Sequence, residues 1–203
     1  MERKSTLFML ATTDAIVLSL QPYSDKAHVL HAYTRAGGRV NYMVYGLGRK
    51  NTAGKYSPLS ILQLTTDDKS VRTAQLTYVP TGLTTDPYKR TIALFLSEVL
   101  HHVLRHPMTD EPMYDFIAKS IEELDRTDEP QNFHLHFLID FAAMLGFAIP
   151  LTSNPLTTPP LTLNPLTRSE RQQALRELCR YFNEHVDTWQ TPKSLDVLME
   201  VFD

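Results

Sequence analysis

Residues 15–79 offer five strand-like segments separated by turns and one loop, and this constrains the fold more than any other feature. Ala15-Ile-Val-Leu-Ser-Leu20 is apolar and partly β-branched, and Gln21-Pro22-Tyr23-Ser24-Asp25 after it has turn chemistry. Lys26–Thr34 leads to Gly37-Gly38, two residues that accept positive φ without a Cβ penalty. From Arg39 to Leu47 the residues alternate, with Val40, Tyr42 and Val44 on one face and Arg39, Asn41, Met43 and Tyr45 on the other. A loop over Gly48–Pro58 precedes Leu59–Leu64, and Asp67–Ser70 turns the chain into Val71–Val79. Parallel neighbours need crossovers of a dozen or more residues, usually helical, and no such segment separates these strands. They are expected to pair antiparallel and close into a small barrel.

The commonest five-stranded solution is the oligonucleotide-binding (OB) fold, with an SH3-like barrel as the alternative. After residue 82 the period changes. Asp86-Pro87 is a helix start, and Ile92, Phe95, Leu96, Val99, Leu100 and Val103 follow at helical spacing as far as Pro107. A second helix follows Asp110, and a third, from about Gln131 to Gly146, is apolar nearly all round, as suits the middle of a bundle. Residues 150–167 hold five of the thirteen prolines and repeat Asn-Pro-Leu-Thr, which reads as an extended connector. Thr167-Arg-Ser-Glu170 is a capping box, and a last short helix is expected from Thr191-Pro192. The expected class is therefore α+β: an N-terminal five-stranded antiparallel OB-fold barrel (1–82), then an all-α helical domain (83–203).

The net charge of −3 conceals an asymmetry. Residues 1–82 hold ten Lys/Arg against five Asp/Glu, and residues 83–203 hold ten against eighteen. A cationic first module beside an acidic second one points to a polyanionic partner for the first. The hydrophobic content of 42% supports a packed core. A single cysteine, Cys179, excludes an internal disulfide and a cysteine-built zinc site, and it fits a reducing compartment. Leu7–Ala11 is too short for a signal-peptide core, and no later run is long enough to cross a bilayer, so the expected location is cytoplasmic.

The candidate chemistry lies at Thr34–Lys50 and just beyond. Arg35, Arg39, Arg49, Lys50 and Lys55 surround one turn and one loop, with Tyr42, Tyr45 and Tyr56 interleaved. Rings to stack on bases and cations for phosphates are what a single-stranded nucleic-acid platform requires. The expected nucleic-acid-binding residues are Arg35, Arg39, Arg49, Lys50, Lys55 and Tyr45, gathered on one face; cations that merely solvate a small barrel, with tyrosines as strand packing, explain the same pattern.

Other chemistry is weaker. His101, His102 and His106 share a helix, but no Glu stands in the register a zinc hydrolase needs, so no metal is expected. His28 and His31 are expected to face solvent or a phosphate. Cys179 lies on an apolar stripe, Asp67-Asp68 reads as a turn, and no nucleophile elbow, phosphate loop or dinucleotide fingerprint occurs. No catalytic residue or cofactor is assigned. In the helical half Arg90, Lys119, Arg126, Arg168, Arg171, Arg176 and Arg180 lie near apolar stripes, a pattern shared by a groove for acidic, hydrophobic peptide tails and by ordinary solvent-facing helices.

The order of several short motifs is similar to that of the RecO family of bacterial recombination mediators. They are Asp14-Ala-Ile-Val-Leu18, Pro22-Tyr-Ser-Asp25, Tyr33-Thr-Arg-Ala-Gly-Gly-Arg-Val40, Tyr45-Gly-Leu-Gly-Arg-Lys50, Leu59–Leu64, Leu145-Gly-Phe147 and Lys193–Leu198. The resemblance implies a non-enzymatic DNA repair and recombination mediator whose barrel binds single- and double-stranded DNA. It implies annealing of complementary strands, recombinase loading at gaps, and single-strand-binding protein and RecR as partners. Many members carry a four-cysteine zinc site in the helical half, which a chain with only Cys179 lacks. A protein-interaction adaptor that never meets DNA is the rival reading.

Overall fold

The computed structural model describes residues 10–47, 54–67, 69–149 and 166–201. The chain divides into two compact units, Met1–Val79 with Leu104–Ala118, and Pro80–Val103 with Lys119–Asp203. They are not successive halves: after leaving the first unit near the expected boundary, the chain returns to it over residues 104–118.

The first unit is a closed barrel of β1 (Ala11–Ser24), β2 (Ala27–Thr34), β3 (Gly38–Tyr45), β4 (Ile61–Asp67) and β5 (Ser70–Tyr78), in the order β1-β2-β3-β5-β4. Strand β1 serves two partners, pairing Ala11–Ile16 with β4 and Ala15–Ser24 with β2. A strand shared this way must bend, and register shifts at Val17/Ser19 and Pro22/Ser24 supply the bend. Gln21–Ser24 therefore continues the strand instead of turning, and the turn is Asp25-Lys26. Pro22 is tolerated because it borders a bulge. All pairings are antiparallel except β3 with β5, which closes the barrel in parallel at Met43↔Ser70.

The barrel interior is Ala15, Val17, Leu30, Ala32, Tyr42, Val44, Tyr56, Leu62 and Leu64. The short 3-10 turn Gly54–Tyr56 places Tyr56 in that core. Tyr42 and Tyr56 serve core packing, the alternative the sequence left open for them, and burial raises the pKa of both. Asp67 staples the β4–β5 turn: its carboxylate accepts from the Ser70 N–H at 3.0 Å and the Arg72 Nε at 2.7 Å.

The returning segment packs on the β2–β3 hairpin. Arg39 N–H donates to His106 O (3.3 Å), and Thr109 Oγ1 donates to Ala36 O (2.6 Å). Of the two hairpin glycines only Gly38 has positive φ, +62°. A Cβ there would stand 2.2 Å from Met108 O, so glycine is required by both the backbone angle and the approach of the returning chain.

The second unit is helical: α1 (Thr81–Thr85), α2 (Pro87–Val103), part of α3 (Glu111–Arg126), α4 (Phe133–Met144), α5 (Arg168–His185) and α6 (Leu195–Val201). The unexpected turn α1 is held by Asp125, whose carboxylate accepts from Leu83 N–H (3.1 Å) while its carbonyl accepts from Lys89 Nζ (2.7 Å). Helix α4 buries His134, Leu135, Phe137, Leu138, Phe141 and Ala142, matching its apolar circumference. Phe141 stacks on both Phe137 (5.6 Å) and Phe182 (6.0 Å), and Phe182 meets Trp189 at 5.3 Å. The capping box of Thr167 and Glu170 is present. Helix α6 starts later than its sequence signal because Glu98 of α2 caps it, accepting from Ser194 N–H (3.1 Å) and Oγ (3.0 Å). Cys179 is buried, and burial pushes its thiol up to about 12. The Pro-rich connector from residue 150 to 165 lies outside the described residues.

Gly38→Ala is expected to destabilise the protein by at least about 1–2 kcal/mol from the left-handed backbone alone, with the collision adding to it, as read by a lowered denaturation midpoint. A second expectation concerns His134, whose pKa falls to about 3 through burial and, secondarily, the charges of Arg171 and His136. The folded chain keeps this ring neutral while the unfolded chain protonates it near pH 6.5. Its contribution is thus complete above that pH and declines as pH falls, at up to about 1.4 kcal/mol per pH unit. Urea midpoints between pH 7.5 and 4.5 check this, and His134→Leu is expected to flatten the decline by one proton's worth.

Candidate nucleic-acid interface

The outer face of β2 and β3 is set by strand parity. Leu30, Ala32, Tyr42 and Val44 fill the barrel, so Val29, His31 and Tyr33 of β2, and Arg39, Asn41, Met43 and Tyr45 of β3, stand on the opposite side. His28, sharing parity with Leu30, is not on that outer face. Cross-strand pairs are Tyr33↔Arg39, His31↔Asn41, Val29↔Met43 and Ala27↔Tyr45. Two turns flank this face at its upper end. Gly46 N–H donates to Lys26 O of the β1–β2 turn (3.3 Å), and Met43 N–H donates to Lys69 O of the β4–β5 turn (2.7 Å).

Among the described residues, the expected cations Arg35, Arg39 and Lys55 do not gather in one patch. Arg35 is engaged in the fold: it pairs with Asp115 (2.5 Å), lies 3.9 Å from Asp14 and sits 4.5 Å over the Tyr114 ring. A guanidinium between two carboxylates and an aromatic face is a fastener for the hairpin turn, and the Asp115 hydrogen bond, foremost, raises its pKa. Arg39 is half-buried at the same end, its pKa lowered to about 10 by burial and by the neighbouring charge of Arg105. Its Nη2 lies 3.2 Å from His31 Nδ1, which is 2.7 Å from Asn41 Oδ1. With the proton on Nδ1 His31 donates to Asn41, and with it on Nε2 it accepts from Arg39. Burial, then the charge of Arg39, lowers the His31 pKa against the opposing Asn41 bond, so this chain of contacts favours the neutral ring at neutral pH.

Tyr45 occupies the other end of β3, about 20 Å from Arg39 at the ordinary strand rise, and is 60% exposed. Lys55 stands elsewhere, donating to Ala74 O of β5 (3.2 Å) with its Nζ 5.2 Å from the Tyr56 ring centroid. Arg49 and Lys50 lie outside the described residues. Lys26, Lys69 and Arg105 carry no motif that marks them in the sequence. Lys26 and Lys69 sit in turns without a local motif, and Arg105 reaches the barrel only through the return of residues 104–118. Among the described residues no group of three or more His, Cys, Asp or Glu side chains is placed to hold a metal ion, and no helix is long and apolar enough to cross a membrane.

The barrel and the helices each correspond to a known family domain. Residues 9–79 match the model for the recombination protein O N terminal, and residues 84–191 that for the C terminal. A DNA repair protein RecO of Porphyromonas gingivalis is 35% identical over 150 residues, covering 68% of this chain and 61% of its own length. That of Flavobacterium johnsoniae is 29% identical, covering 96% of this chain and 100% of its own, and that of Christiangramia forsetii is 26% identical over the same shares. An OB-fold barrel and a helical region, matched in order across most of the sequence, place this chain in the RecO family.

Proposed function

We propose that the chain acts in DNA repair and recombination as a mediator without covalent chemistry. In this reading the barrel binds single- and double-stranded DNA through phosphates and bases, brings complementary strands together for annealing, and assists recombinase loading at gaps. Single-strand-binding protein and RecR are the proposed protein partners, on the strength of the family. The observation that carries the reading is the outer β2–β3 face with the β1–β2 and β4–β5 turns beside it, the position at which OB folds take oligonucleotides. That face carries Arg39, His31, Asn41 and Tyr45, and the turns carry Lys26 and Lys69. Cations on flexible side chains around a groove release counterions on binding, so affinity is expected to fall steeply with salt and to vary little with sequence.

The arginines divide the labour. Arg39 is proposed to reach phosphate, whereas the charge of Arg35 is used by Asp14 and Asp115. Oligonucleotide binding titrated with salt tests this. Arg39→Gln is expected to weaken binding to all sequences alike and to lower the log–log salt slope by about 0.7–0.9. Arg35→Gln is expected to leave the slope unchanged while costing about 1 kcal/mol of stability, as partly exposed ion pairs do. Arg49→Ala with Lys50→Ala tests the loop in the same assay. Complementary oligonucleotides that anneal no faster with the protein than without it would remove the annealing role. A chain that retains no DNA near 100 mM salt would leave the adaptor reading in its place.

A further inference from the structure

Two tyrosines of the barrel break its pattern. Tyr33, Tyr42 and Tyr56 are 3%, 8% and 5% exposed, whereas Tyr23 and Tyr45 are 72% and 60% exposed. Strand pairing brings these two exceptions to one rim. Tyr23 falls at the β1 bulge, between the pairs Pro22↔His28 and Ser24↔Ala27, and Ala27 in turn pairs with Tyr45. They are therefore two strand spacings apart across β2, about 10 Å between backbones. Lys26 lies in the turn that joins β1 to β2, and Lys69 lies on the far side of β3, through its carbonyl bond to Met43. Both lysines are exposed. Asp25, also exposed, is the described carboxylate of this arc that is not folded into a turn staple, since Asp67 is held by Ser70 and Arg72.

We propose that Tyr23 and Tyr45, with Lys26 and Lys69 beside them, form a base-stacking platform that makes this rim select single-stranded nucleic acid over duplex. The proposal rests on the nucleic-acid reading above and adds which strand state the rim accepts and by which rings. Exposed tyrosine rings offer π-faces to any base, and the adjacent ammonium groups meet the phosphates on either side. Stacking itself decides between strand states. In a duplex each base has its faces covered by neighbours about 3.4 Å along the strand, so a ring can engage only a base that has left the stack. Two bases splayed from a single strand meet both rings, whereas a duplex would first have to be opened.

The test measures binding of the full chain to a fluorescent thymidine oligonucleotide and to a duplex of equal length, at one salt concentration. Tyr23→Leu and Tyr45→Leu are each expected to weaken single-strand binding about five- to a hundredfold and duplex binding by a smaller factor. Tyr23→Phe and Tyr45→Phe, which keep the ring, are expected to bind as the wild type does. Because both side chains are exposed, denaturation midpoints are expected to stay within a degree or so of the wild type, which separates lost stacking from lost folding. Leucine variants that bind the single strand like wild type, or that lose single strand and duplex equally, overturn the platform while the nucleic-acid reading stands. A wild-type chain that binds neither probe overturns both, and leaves the exposed tyrosines to a protein partner.

Discussion

Closure of the barrel is the constraint on which the first unit depends. In a closed five-stranded barrel every strand borders two others, and β1 meets this by pairing β4 along Ala11–Ile16 and β2 along Ala15–Ser24. The price is a long, twice-bulged strand that carries Pro22 and Tyr23 past the point where local chemistry would turn it. Closure at Met43↔Ser70 then draws the β4–β5 turn against β3, so two turns far apart in sequence flank one face. The face where OB folds hold nucleic acid is a consequence of that closure, not of any contiguous motif.

The opposite end of the same hairpin is treated differently. The returning chain places Met108 on Gly38, His106 beside Arg39, and Asp115 with Tyr114 around Arg35. Arg35 fastens the turn because carboxylates lie within reach, whereas Arg39 is half-buried with Arg105 as its charged neighbour, and burial lowers its pKa. One residue type thus meets two electrostatic environments a few positions apart, decided by which charges the fold brings near.

The helical unit follows simpler rules. Its apolar stripes are continuous at helical period, and the stacked rings of Phe137, Phe141, Phe182 and Trp189 fill the space those stripes define. The adjustments occur where a distant polar group replaces a local cap. Glu98 sets the start of α6, and Asp125 holds α1.

Alternation and helical period, which are local in sequence, determined the five strands, the inward parity of Val40, Tyr42 and Val44, the capping box at Thr167 and the burial of Cys179. Residue order also carried the likeness to the RecO family. Tertiary structure alone decided that Gln21–Ser24 stays in a strand, that Tyr56 belongs to the core, that residues 104–118 rejoin the barrel, and that Arg35 pairs with Asp115, eighty positions away. The reason is physical: period and propensity report which face of an element is apolar, whereas the partner of a charge or an exposed ring is set by chain closure between residues remote in sequence.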